Sequence, residues 1–379
     1  MFRFVTRGGQ SPGCRPFSNS RRPIYNDNPA TRQKYHHYTA RQAVFLRKKG
    51  RHTYNVPDLA EYDFFLVAFS GGKDSTAAFL YLLDRGVAPE RIELWHHSVD
   101  GHGGNGASSS LMDWPSTPAY CRAFARAFHA PLYFSWRLGG FEREMLRDGT
   151  ATAPISWENP DGSAGTTGGK GPKGTRLKFP QVSAGLSTRW CSPYLKIDVG
   201  AAAIRNQERF LGKKTLFISG ERGEESPSRA RYQVFEPDRT CSDRRTVHRY
   251  RPVHSWKEQE VWDIIRRHRV NLHPAYRIGF PRLSCRACIF GQEDQWASLR
   301  QIDPAGFQTI ADYEAKFGFT IHRKTAVGDR ADAGKPYAGC SDQPLTAEAM
   351  DPNWSGPIIL PEDEWVVPAG AFGKGGGPS

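Results

Sequence analysis

The stretch Phe64-Phe65-Leu66-Val67-Ala68-Phe69-Ser70-Gly71-Gly72-Lys73-Asp74-Ser75 sets an apolar run directly before a hexapeptide of small and charged residues. An uninterrupted apolar run of this length reads as a strand buried on both faces. The pattern from Thr76 to Arg85, closed by Gly86, reads as a helix. A strand that passes through two glycines into a helix aims free backbone N–H groups at one point, with the positive helix end behind them. Such a point suits a phosphate. Gly71 and Gly72 let the main chain approach the anion, Ser70 and Ser75 add hydroxyl donors, and Lys73 adds a mobile positive charge. The pattern is not the Walker loop G-x-x-x-x-G-K-S/T, and Gly168-Gly169-Lys170-Gly171 lacks both that spacing and the hydroxyl after lysine.

Outward from this junction, strand-like runs alternate with helical patterns, which predicts an α/β fold with a doubly wound, mostly parallel sheet. Strands are expected at Phe64–Phe69, Ile92–His96, Leu132–Ser135 and Thr215–Ser219. Thr117 and Pro118 read as the N-cap and first-turn proline of a helix, and Ser255-Trp256-Lys257-Glu258 as a capping box opening another. The expected organisation is a basic tail over residues 1–56 and a nucleotide-binding domain over 57–275, interrupted by a Gly-rich insertion or mobile loop at 148–186. A C-x₂-C segment over 276–327 and a loosely ordered tail over 328–379 complete it. No internal repeat is visible.

With 379 residues and 38% hydrophobic content the chain can build a substantial core, and no apolar stretch reaches membrane-spanning length. The formal charge is +13, yet twelve Lys and Arg lie between Arg3 and Arg51, against Asp27 and Asp58 alone among the first sixty residues. That tail suits either a nucleic-acid partner held through its phosphates or a solvated arm. Its first 25 residues, rich in Arg and Ser and free of acids, also have the composition of an organelle transit peptide. Seven cysteines without dense spacing or an apolar signal segment fit a reducing, cytoplasmic setting. Some of these thiols then read as metal ligands.

In an open parallel sheet the ligand lies beyond the carboxyl ends of the strands. His96, His97 and Asp100 follow the second strand, and Asp100 is a candidate for holding Mg²⁺ or a ribose, with a plain polar strand end as the alternative. Gly220-Glu221-Arg222-Gly223-Glu224-Glu225-Ser226-Pro227-Ser228-Arg229 follows the Thr215 strand, where guanidinium forks suit phosphate or sulfate, or form a surface ion-pair cluster. Cys285-Arg286-Ala287-Cys288 places two thiolates on one turn, which is ligand spacing for zinc or an iron–sulfur cluster. Arg189-Trp190-Cys191-Ser192, followed by Lys196, supplies a third thiol.

The hexapeptide Ser70 to Ser75 resembles the PP-loop of the ATP pyrophosphatase superfamily, whose members split ATP between its α- and β-phosphates to adenylate a substrate. The Gly220 block resembles the G-x-R-x-E-x-S-x-x-R pattern of the phosphoadenylyl-sulfate (PAPS) reductase family within it, matching at every fixed position: Gly220, Arg222, Glu224, Ser226 and Arg229 in turn. The resemblance covers about residues 62 to 290 and leaves both tails unexplained. It implies an adenine nucleotide across Ser70, Gly71, Gly72, Lys73, Asp74 and Ser75, with Asp100, Gly220, Glu225 and Ser226 around it and Arg222 and Arg229 facing its anionic end. Lys73, Asp74, Arg222 and Arg229 are the implied catalytic residues. Cluster-bearing relatives use a Cys-Cys pair before a lysine together with a later C-x₂-C. Here Lys196 aligns Cys191 with the first member, and Ser192 stands in place of the second. Three ligands, Cys191, Cys285 and Cys288, imply a [4Fe–4S] cluster with one open iron, with zinc as the alternative. A fourth ligand from Cys241, Cys340, His248 or His254 would close the site.

PAPS reductases proper also carry a C-terminal Glu-Cys-Gly, which Ala338-Gly339-Cys340-Ser341 does not reproduce, and they tend to lose the Lys and Asp that are present here at 73 and 74. The expectation is therefore an ATP-cleaving, adenylating enzyme for sulfur transfer to a nucleic acid, fed by a sulfur-donor protein. An adenylyl-sulfate or PAPS reductase, and a non-catalytic nucleotide-sensing subunit of a nucleic-acid assembly, are the alternatives.

Overall fold

The computed structural model describes residues 57–102, 110–183 and 185–373; the basic segment 1–56, with its nucleic-acid and transit-peptide readings, lies outside them. The first half of the chain runs β1 (Phe64–Ala68), α1 (Lys73–Asp84), β2 (Ile92–Ser98), α2 (Thr117–Phe128), β3 (Leu132–Arg137) and α3 (Gly140–Met145). Then come β4 (Ile155–Glu158), β5 (Ala164–Thr167), a π-helical turn (Pro193–Ile197), α4 (Asp198–Arg205), β6 (Lys214–Ile218), β7 (Phe235–Pro237), β8 (Thr246–Tyr250) and α5 (Glu258–Arg267). The remainder is helical, with α6 (Glu293–Ile302), α7 (Pro304–Phe317), α8 (Val327–Ala333) and α9 (Gln343–Met350).

Among the described residues the strands form one sheet in the order β5-β4-β3-β2-β1-β6-β8-β7. The five central strands are parallel, and β4, β5 and β7 run antiparallel to their neighbours. Alternate residues of β1 explain its unbroken apolar sequence. Phe65 and Val67 join Phe79, Phe124 and Trp262 on one face, while Leu66 joins Trp95, Phe217 and Val199 on the other. Covering both faces is what a parallel sheet requires. The chain starts at the sheet centre, winds out through β2 and β3, and returns to the opposite side of β1 at β6. The loops after β1 and β6 therefore part at a switch point, where open sheets bind ligands.

Three local expectations differ from the structure. The 148–186 segment, read as an insertion or loop outside the core, contributes the β4–β5 hairpin to the sheet edge, burying Ile155 and Trp157. Four residues per strand are too few for an alternation to stand out among glycines. The region after 328, read as loosely ordered, contains α9 and buries Cys340, Ala349, Trp354 and Ile358. Its anchors are single apolar residues spaced through polar sequence, so average composition hides them. The capping box expected at Ser255 forms two residues later, where Glu260 accepts the Lys257 N–H at 2.8 Å and Glu224 accepts the Glu258 N–H at 2.8 Å. The first of these is the reciprocal half of such a box, and the second comes from the loop after β6.

Candidate active site

The loop after β1 is built from its own small side chains. Gly71 has φ +77°, and a Cβ there would sit 3.1 Å from the Tyr120 ring. Ser75 Oγ donates to Gly72 O at 2.9 Å and accepts from Ser70 N at 3.3 Å, which fixes the curl of the loop at the start of α1. The side chain of Lys73 is buried, donates to Pro281 O at 2.9 Å and lies 3.4 Å from Glu258. Burial works against its charge, but Tyr276, Asp74 and Glu258 outweigh that and hold its pKa above the ordinary lysine value. Tyr276 Oη accepts the Lys73 N–H at 3.0 Å and the Leu283 N–H at 3.1 Å. The segment 276–283 thus clasps the Ser70–Ser75 loop.

The loop after β6 meets the same loop. A Cβ at Gly220 would fall 2.5 Å from Asp74 O, so glycine is what allows this contact. Arg222, almost wholly buried, donates Nε to Asp74 at 2.6 Å and Nη1 to Glu224 at 2.7 Å. Glu225 accepts the Arg222 N–H at 2.9 Å and pairs with Arg229. Ser226 Oγ accepts the Arg229 N–H at 3.3 Å, and the Arg229 carbonyl bonds His254 at 2.8 Å. The sequence-predicted nucleotide residues from β1 and β6 are therefore one connected network, with Asp74 and Arg222 as its joint.

A second group lies past the ends of β2 and the π-helical turn. Asp100 Oδ2 accepts the Met112 N–H at 2.9 Å and the Asp113 N–H at 2.7 Å, while Oδ1 is enclosed with no partner. Burial, with the Asp113 charge adding, pushes its pKa up to about 7 despite those two N–H bonds. Cys285 and Cys288 sit on one turn, Cys288 N donating to Cys285 O at 3.1 Å. Burial pushes the Cys191 thiol up to about 11, the Cys288 charge adding and Lys196 opposing. Burial likewise raises Cys285, again against Lys196. Lys196 loses to burial but gains more from Cys285, Asp113, Cys191 and Cys288, and its pKa is raised. The residue is nonetheless exposed, while the three cysteines are half-buried.

Among the described residues no three His, Cys, Asp or Glu side chains are drawn tightly enough together to grip a metal ion. The donor set nevertheless fits a soft, anionic centre. Three thiols share one ammonium neighbour, and beside Cys191 the Nε and Nη1 atoms of Arg189 are enclosed without partners. The candidate fourth ligands are engaged elsewhere. Cys340 Sγ lies 3.8 Å from Ile278 O, His248 bonds Tyr62 at 2.7 Å, His254 bonds Arg229, and Cys241 packs with the Leu66 and Val199 cluster. Sequence reasoning missed Tyr276 and Asp113. A tyrosine that caps a loop two hundred residues away leaves no local signal, whereas Asp113-Trp114-Pro115 has the look of a helix entry and nothing more.

A doubly wound α/β sheet with a glycine-hinged anion loop at its switch point defines a nucleotide-binding protein of the PP-loop class. Residues 188–290 match the phosphoadenosine phosphosulfate reductase domain, a match that supports a PAPS reductase-like relationship within the PP-loop superfamily. It is similar to an uncharacterised 37.8 kDa protein of Escherichia phage 186, at 28% identity over 36% of this chain and 39% of the relative. It is also similar to the adenosine 5'-phosphosulfate reductase of Allochromatium vinosum, at 32% identity over 21% of this chain and 30% of the relative. The corresponding enzyme of Staphylococcus haemolyticus matches at 30% identity over 25% of this chain and 38% of the relative. The chain thus spans between three and four tenths of the length of these curated relatives. No helix among the described residues is long and apolar enough to cross a membrane.

Proposed function

We propose that this chain cleaves ATP to AMP and pyrophosphate to adenylate an acceptor, and that the adenylated acceptor, a nucleic acid, then takes up sulfur. The observation that carries this reading is the junction of the Ser70–Ser75 loop, with Lys73 and Asp74 both present, to the loop of Arg222 and Arg229 at the carboxyl ends of the central strands β1 and β6. An acceptor oxygen attacks the α-phosphate, pyrophosphate leaves with the bridging electron pair, and a sulfur nucleophile then displaces AMP. Ser70, Gly71, Gly72 and Ser75 hold the phosphates, and Lys73 offsets charge on the leaving group. Arg222 and Arg229, with Gly220, Glu225 and Ser226 shaping their loop, orient the anionic end. The unpartnered Oδ1 supports a role for Asp100 in holding Mg²⁺ or a ribose hydroxyl.

Cys191, Cys285 and Cys288 would hold a [4Fe–4S] cluster, or zinc in its place, and an iron–sulfur cluster would supply sulfur or electron chemistry when bound. A second reading, reduction of adenylyl sulfate or PAPS, is favoured by the names of the relatives and by the domain matched at 188–290. One assay separates the two. Anaerobically purified protein is given ATP with an oligonucleotide and sulfide, or adenylyl sulfate with a thiol reductant, and AMP, pyrophosphate and sulfite are measured. AMP with pyrophosphate supports adenylation, AMP with sulfite supports the reductase, and neither product from either mixture sinks both.

A further inference from the structure

Between Ala164 and Ile197 the chain carries Lys170, Lys173, Arg176, Lys178, Arg189 and Lys196 and no Asp or Glu. The charge of this strip is not answered from within. Lys170, Lys173 and Lys178 are exposed, and none is ion-paired among the described residues. Nor is the strip loose. Gly174 N donates to Thr150 O at 2.9 Å, and Arg176 N donates to Arg147 O at 2.7 Å. The Arg176 guanidinium is clamped over the rings of Trp190 at 4.0 Å and Tyr194 at 4.5 Å, with Glu144 3.5 Å away. Glu144 in turn is shared among Arg143, Arg147 and Arg176, so one carboxylate faces three cations and a positive surplus remains. Acids flanking the strip are also spoken for: Asp148 accepts from Thr175 at 2.8 Å, Glu158 accepts the Phe134 N–H at 2.8 Å, Asp161 bonds Ser163 within the hairpin turn, and Asp198 pairs with Arg239 at 3.2 Å.

The strip has a direction. Arg176 stacks on Trp190, the residue before Cys191; Arg189 follows with two enclosed, unpartnered nitrogens, and Lys196 stands among the thiols. We propose that residues 168–183, with Arg189 beyond them, form a docking surface for a nucleic-acid strand, along which Lys170, Lys173 and Lys178 hold phosphates and lead the acceptor toward Cys191. This rests on the sulfur-transfer reading for its purpose but not for its physics. Lysines on a fixed, glycine-rich backbone need only charge and reach to hold a phosphodiester chain. A protein partner would call for buried aromatic anchors, and the strongly exposed apolar side chains here are Val182 and Leu186.

The test uses the full chain, so that the basic segment 1–56 is present in every arm. Labelled single-stranded DNA and RNA oligonucleotides of mixed sequence are titrated by anisotropy over a range of salt. The triple variant Lys170→Gln, Lys173→Gln, Lys178→Gln should bind roughly tenfold or more weakly, and the slope of log K against log salt should fall by about two, at about 0.7 per lost phosphate contact. The corresponding triple Lys→Arg variant should restore both. Unchanged affinity and slope in the Gln variant, or no oligonucleotide binding by the wild type, overturns the proposal. So does displacement of the oligonucleotide by polyglutamate as readily as by nucleic acid, which would point to an acidic protein instead. Binding that depends on the strip, in a protein that never thiolates the bound oligonucleotide, would sink the sulfur-transfer reading and leave the surface standing.

Discussion

Lys73 is held by two protein oxygens, Pro281 O and a Glu258 carboxylate oxygen, that a phosphate can replace. An ammonium kept charged beside the anion loop contributes most when negative charge builds on departing pyrophosphate. Lys73→Ala should therefore slow pyrophosphate release by about 10²-fold while nucleotide affinity changes less than about tenfold. Equal losses, read from single-turnover rates and equilibrium binding, would place Lys73 in ground-state binding instead. A different kind of residue sets the acid limit of the fold. His273 accepts from Ala275 N at 3.2 Å and bonds Ser116 at 3.1 Å, and burial, with the His96 charge adding, pushes its pKa down to about 3. Burial likewise takes His96 down to about 4 and His97 to about 3. Each stays neutral in the fold, whereas the unfolded chain binds its proton below about pH 6.5. The stability each contributes is thus complete above about 6.5 and lost as pH falls toward the folded value, at about 1.4 kcal/mol per pH unit. In urea titrations His273→Gln should lose about 2 kcal/mol less than wild type between about pH 6.5 and 5. Parallel pH profiles for the two would exclude His273 from the acid response. Ser70 to Ser75 was legible because its chemistry is local, six residues doing one task. His273 was not, since its neutrality comes from what packs over it.

At the scale of elements, the parallel strands could be read directly. Burial on both faces leaves an apolar run that a sequence shows, as in Phe64 to Ala68. The connection 276–283 could not, although it decides how the anion loop is closed. Tyr276 is buried against Trp262, with ring centres 5.8 Å apart, and its hydroxyl satisfies two main-chain donors at once. Tyr276→Phe keeps the ring and strands both N–H groups, so unfolding free energy should drop by roughly 1 to 3 kcal/mol. Denaturant unfolding measures this, and a Phe variant as stable as wild type would mean that water takes over both bonds. Of the candidate metal ligands, the Cys285–Cys288 turn was visible from spacing alone. Cys191 was brought to it only by family resemblance, because nearly a hundred residues and a sheet edge separate them.

For the whole molecule, the C-terminal stretch past 328 is a structural member of the core that carries the site. Trp354 is nearly fully buried, 5.3 Å from the Tyr120 ring, and Tyr120 in turn lies under Gly71. Trp354→Ala should destabilise the protein by about 3 to 5 kcal/mol. If calorimetry instead shows an unchanged unfolding temperature, the segment packs without supporting the domain. The clasp over the anion loop has one more implication. The chain that holds Lys73 through Pro281 reaches Cys285 four residues later, and Arg286 Nε bonds Asp113 O at 3.0 Å. Two chemistries therefore share one short tether, and linkage then makes them reciprocal. By whatever factor the proposed nucleotide would alter the affinity of the thiols for the proposed cluster, that cluster would alter the affinity for the nucleotide by the same factor.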